Sequence, residues 1–126
     1  MRPHRHLLAV LLLSTLALAQ GVQPSRTVIK PVLNMYSSAS TDADVVSQAI
    51  YGTTVTVLQD TGAWSQIQTP DQYKGWVDSA ALLNKPGEPY ASGKNVVVVR
   101  SLFAHLYRET DVTKHAPLLT VPFESL

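Results

Sequence analysis

The chain has 126 residues, 10 Lys plus Arg against 9 Asp plus Glu, and 45% apolar residues, which suits one small domain or a domain and a half. A net charge of +1 excludes a strongly basic nucleic-acid binder and an acidic solvating tail. With no cysteine, disulfides, thiolate metal sites and a cysteine nucleophile are excluded, and the chain does no thiol chemistry.

Residues 1–19 read MRPHRHLLAVLLLSTLALA, with Arg2 and Arg5 ahead of an apolar run from Leu7 to Leu13 that continues past Ser14 and Thr15. Ala17-Leu18-Ala19 is the small-x-small pattern that signal peptidase reads, and no acidic residue occurs before Asp42. The unbroken apolar run is too short for a membrane anchor, because a bilayer core needs about 20 apolar residues. The expectation is a helical signal peptide cut near Ala19–Gln20, giving a secreted, periplasmic or envelope product without a transmembrane span. Removing the leader takes Arg2 and Arg5 with it, so the product is near neutral and attraction to anionic wall polymers is not what it offers.

After a polar lead-in, Gln20 to Arg26, the pattern from Thr27 to Asn84 is β. Val28, Ile29, Val32 and Leu33 form an apolar cluster broken by Pro31, which suits a strand start or edge. Ser37 to Asp44 is polar and without period, a long loop. Val45 to Tyr51 returns to strand character before Gly52. Thr53 to Leu58 is the clearest strand, rich in β-branched residues and alternating with period two. Asp60 to Ala63 predicts a turn, Trp64 to Thr69 a strand, Pro70 to Lys74 a second turn, and Gly75-Trp76-Val77 a further strand. Ser79 is placed to cap a short helical turn over Ala80 to Leu83. Short strands separated by turn signals describe an all-β fold, a small barrel or sandwich.

Residues 85–95 read as a linker, KPGEPYASGKN. Val96 to Val99 predicts a new apolar strand, followed by β-like residues Leu102, Phe103, Leu106 and Tyr107 and a last apolar stretch from Pro117 to Phe123. Residues 96–126 cannot close a barrel alone, because their strands would lack partners. They are expected to be the start of a second, truncated domain.

The run from Val28 to Leu83 resembles a bacterial SH3 domain, the small β-barrel of exported wall proteins. The match is carried by Leu33 to Tyr36, by Val45 to Gly52, by Gly62-Ala63-Trp64, and above all by the closing Gly75-Trp76-Val77. Gln48 to Gly52 and Asp71 to Trp76 are similar to the first SH3 domain of NlpC-type cysteine peptidases, and Val97 to Tyr107 to the start of their second. In that group a catalytic domain follows and cleaves γ-D-glutamyl–diamino-acid bonds of peptidoglycan stem peptides. The resemblance implies that Tyr73, before Gly-Trp, lines a substrate cleft. This chain departs from the group by lacking a catalytic domain and cysteine.

Five aromatic residues are candidates for contact with a peptidoglycan fragment or muropeptide. Trp76 is read with Val77 as packing inside the barrel, or else as part of a binding face. Trp64 is opposite in parity to Ile67, so one of the two faces outward, and an exposed Trp64 offers a flat platform. Tyr73 in its polar turn, Tyr36 and Tyr51 each offer an apolar face and one hydroxyl, or simply cover the barrel end. Asp42, Asp44 and Asp71 are too scattered for a metal loop, and His105, Glu109 and His115 fit no zinc cage. No catalytic constellation, metal or cofactor is expected. Three functions remain open: an exported module that recognises peptidoglycan or positions an endopeptidase on it, a fragment of such a peptidase whose SH3 region is structural, and a protein–protein adaptor.

Overall fold

The computed structural model describes residues 23–84, 90–93 and 95–126, so the leader and most of the linker fall outside the described residues. Seven strands form one antiparallel sheet: β1 (Ser25–Val28), β2 (Val32–Tyr36), β3 (Val45–Ile50), β4 (Thr54–Asp60), β5 (Trp64–Gln68), β6 (Lys74–Asp78) and β7 (Leu82–Leu83). Their order across the sheet is β3-β2-β6-β5-β4-β1-β7. One face of every strand enters a single core. Ala49 on β3, Leu33 and Met35 on β2, Val77, Ile67, Val57, Val55, Val28 and Leu82 are all buried together. β3 and β7 lie at opposite edges of the sheet yet share that core, so the sheet curls upon itself into the small barrel form the turn spacing predicts.

The period-two alternation does the sorting. In β5, Ser65 and Ile67 are buried while Trp64, Gln66 and Gln68 are half-exposed, and in β6 Gly75 and Val77 are buried while Trp76 is not. Trp76 therefore does not pack inside beside Val77: adjacent residues of one strand point to opposite faces. The interior position beside it is kept for Gly75. A Cβ there would lie 2.7 Å from the Met35 Cβ and 3.2 Å from the Tyr36 carbonyl oxygen, so β2 and β6 approach closely only because a side chain is missing. β3 bulges opposite this contact. Met35 pairs with Ser47 and Tyr36 with Val45, leaving Val46 as the extra residue and bending the strand pair.

Four local expectations are corrected. A strand begins at Ser25, inside the stretch read as a polar lead-in, because Arg26 finds polar partners and β1 pairs with β4 and β7 on either side. The helical turn is a 3₁₀ turn over Ser79–Ala81, and its cap is Asp78, whose carboxylate accepts the Ala80 N–H at 2.9 Å. β7 then follows at Leu82, where the sequence suggested helix. The apolar run from Val96 to Val99 forms no strand: among the described residues, Val99 alone of the run exchanges backbone hydrogen bonds, with Ser125 and Glu124. The C-terminal residues instead build a two-stranded sheet from β8 (Phe103–Leu106) and β9 (Leu119–Pro122). His105 sits on β8, in the segment read as β-like, with its Nδ1 2.8 Å from Thr120 Oγ1. No described helix is long and apolar enough to cross a membrane.

Candidate functional site

The outer face of β2, β6 and β5 carries an aromatic cluster that follows from strand register. Tyr36 stands opposite Trp76, Trp76 opposite Gln66, and Trp64 opposite Asp78. Directly opposed residues share a face, so Tyr36, Trp76, Trp64 and Asp78 lie on one surface. Tyr36 and Trp64 meet edge to face, with ring centroids 5.9 Å apart and planes at 82°. This T-shaped arrangement sets the positive ring edge of one against the negative face of the other and holds both rings in place.

Beside the pair lies a cleft of about 320 Å³, lined among others by Lys30, Asn34, Tyr36, Thr41, Trp64 and Asp78. Its polar groups are positioned by neighbours. The Asp78 carboxylate is fixed by its bond to Ala80 N–H, and Asn34 Oδ1 accepts from Gln48 Nε2 at 2.8 Å. Lys30 enters because the Ile29 N–H donates to the Ala81 carbonyl oxygen at 3.0 Å, tying the segment before β2 to the turn that follows Asp78. The cleft thus offers a cation, a carboxylate, an amide and two aromatic faces. That set can take hold of a small peptide carrying both signs of charge.

Trp64 is held from behind. The turn before it is fastened by Gly62 N–H donating to Asp60 Oδ1 at 2.8 Å and by Thr61 Oγ1 donating to the Trp64 carbonyl oxygen at 2.9 Å. Gly62 adopts a φ of +88°, a left-handed conformation that few other residues tolerate. Arg26 pairs with Asp60 and donates to Ser65 Oγ at 3.1 Å, and Ser65 Oγ lies 2.8 Å from Ser79 Oγ. Ser65 is fully buried, and these contacts satisfy its hydroxyl. The Gly62 amide and then the Arg26 guanidinium hold the Asp60 carboxyl below the ordinary aspartate range.

The five sequence candidates separate in space. Tyr36 and Trp64 come together at the cleft, and Trp76 adjoins them on the same face. Tyr73 does not join them. It is 56% exposed in the β5–β6 turn, while Trp64 and Asp78 pair at the open end of that hairpin, about 15 Å of strand away. Tyr51 goes elsewhere, edge to face with Tyr90 at a centroid separation of 6.5 Å. Lys30, Asn34 and Asp78 were not nominated from sequence. Asp78 carried a signal, since an aspartate directly before a short turn is a cap, but nothing local in the sequence points to Lys30.

Among known protein families, the bacterial SH3 domain matches residues 31–83, a span that contains β2 to β7 and all of the cleft except Lys30. No curated protein matches the chain.

Proposed function

Since residues 31–83 are a bacterial SH3 domain, we propose that the chain is an exported, non-catalytic recognition module that holds a peptidoglycan stem peptide in the Tyr36–Trp64 cleft. The observation that carries this reading is that Lys30 and Asp78 both line the same aromatic hollow. A stem peptide presents carboxylates from its γ-linked glutamate and an amine from its diamino acid, so it supplies a partner for each charge. Its short aliphatic residues pack against the faces of Tyr36 and Trp64, with Asn34 available to the peptide amide. The proposal makes the protein a holder of wall fragments, which positions them, or a hydrolase acting on them, outside the cytoplasm. The leader sequence supports export and lies outside the described residues.

Binding in so shallow a hollow is weak, because ordering costs offset few contacts. Isothermal titration of the full chain with a stem tetrapeptide is expected to give saturable heat. Acetylating the peptide's free amine, or amidating its carboxylates, weakens binding about two- to fivefold each, the range of exposed ion pairs. No heat from the unmodified peptide, or acetylated and amidated forms that bind as tightly as the unmodified one, overturns the reading. Saturable binding by a proline-rich peptide in its place would make the cleft an adaptor groove instead.

A further inference from the structure

A second hollow, of about 560 Å³, lies between the barrel and the C-terminal hairpin. Its size falls within the ~300–1,000 Å³ of small-molecule pockets. Val97, Leu106, Val121 and Leu126 line it, and Tyr51 and Tyr90 also border it. Leu126 is brought there by its N–H, which donates to the Tyr51 carbonyl oxygen at 3.3 Å, and by close stacking on Gly52.

Three independent features describe what this hollow accepts. Val97 is 78% exposed and Leu106 41%, so the lining presents apolar side chains to solvent. Singly such residues mean little, but converging on one concavity they mark a binding surface. Among the described residues that line it, none has a charged side chain, so a charged ligand would lose hydration and gain no counter-charge from them. Ser125 also borders the hollow and is 1% exposed, and its Oγ has no hydrogen-bond partner among the described residues. A buried hydroxyl left unpaired is destabilising, and a ligand that supplies one donor or acceptor removes that cost.

We infer that the hollow beside Tyr51 and Ser125 binds a neutral amphiphile, with an aliphatic chain laid against Val97, Leu106 and Val121 and a hydroxyl or amide head on Ser125 Oγ. The site is separate from the Tyr36–Trp64 cleft and does not depend on the reading given to it. A carboxylate on the same chain is disfavoured, because none of the described lining residues offers a charged side chain to receive it.

The probe is 1-octanol, titrated into the full chain and followed by heteronuclear NMR, with octanoate as the charged control. Saturable shifts are expected at Val97, Leu106 and Val121, with octanoate binding at least tenfold more weakly. Val97→Lys abolishes octanol binding without unfolding the chain, since that side chain is mostly in solvent. Ser125→Ala weakens it about two- to tenfold, the loss of one neutral hydrogen bond. The inference is overturned by non-saturable shifts, by octanoate binding as tightly as octanol, or by a Val97→Lys or Ser125→Ala chain that binds like the parent. A dimer in sedimentation that Val97→Lys returns to monomer would assign the hollow to a second copy and overturn it equally.

Discussion

The barrel and the hairpin that follows it are built from similar apolar strands and differ in what those strands meet. Met35, Ile67 and Val77 in the barrel are fully buried, whereas Leu102, Phe103 and Leu118 around the hairpin are 85%, 56% and 60% exposed. In the barrel each inner face is roofed by the far side of a curled seven-stranded sheet. In the hairpin two strands have only each other, and Val121 is its one deeply buried hydrophobic residue among those described. Apolar alternation states which face a strand needs to bury. The number of partner strands decides whether it can.

The contrast can be broken most forcefully in the barrel. Ile67→Ala is expected to lower unfolding free energy by about 2–5 kcal/mol, since the side chain is fully buried and its removal leaves a cavity. A small domain stands only about 5–15 kcal/mol above unfolding, so urea titration would find this variant near the edge of stability. A loss under about 1 kcal/mol would mean that the core is not shared by the whole sheet. Gly75→Ala comes next, at about 1–3 kcal/mol, because the new methyl meets Met35 Cβ and must push β2 and β6 apart. The same titration, read with NMR shifts of Tyr36, is expected to show the Tyr36–Trp64 contact loosen with it.

Asp60→Asn acts more gently and sharpens the pH behaviour. The Asp60 carboxyl is held below its ordinary value by the Gly62 amide and Arg26, so its stabilising contribution is fully present above the unfolded-state pKa. It disappears as pH falls through the lower folded value, below about pH 4. Melting temperature followed from pH 6 to pH 2 is expected to fall less steeply for Asp60→Asn than for the parent chain. Parallel curves would mean that the Arg26 contact is not formed in solution. The smallest effect belongs to the hairpin. Phe103→Ala, at a site 56% exposed, is expected to change stability by no more than about 0.5 kcal/mol.

The same comparison explains what the sequence made legible. β3 to β6 were readable because Thr54 to Leu58 alternates cleanly, Val45 to Ile50 and the Gly-Trp segments are strand-like, and Gly62 and Pro70 mark turns. The start of β1 was hidden, since Arg26 looks like loop until Asp60 and Ser65 are brought beside it. Val96 to Val99 misled in the opposite sense, for its residues are strand-like and, among the described residues, only Val99 is met by a backbone partner. The aromatic half of the cleft could be nominated from residue type. Its charged half could not, because Lys30 and Asp78 are far apart in sequence and come to line one cleft only through the Ile29–Ala81 backbone bond and the folding of the sheet. Tyr73, brought forward by resemblance, stands at the other end of the same hairpin from Trp64.

That separation gives the most direct test. Stem-tetrapeptide affinity would be measured for the full chain, Trp64→Ala and Tyr73→Ala, each checked for an intact fold by NMR. Recognition at the Tyr36–Trp64 cleft predicts that Trp64→Ala loses about tenfold or more, the scale of an aromatic contact at a binding site, while Tyr73→Ala binds like the parent. Unchanged affinity in Trp64→Ala with loss in Tyr73→Ala would move the ligand to the opposite end of the barrel and contradict the assignment.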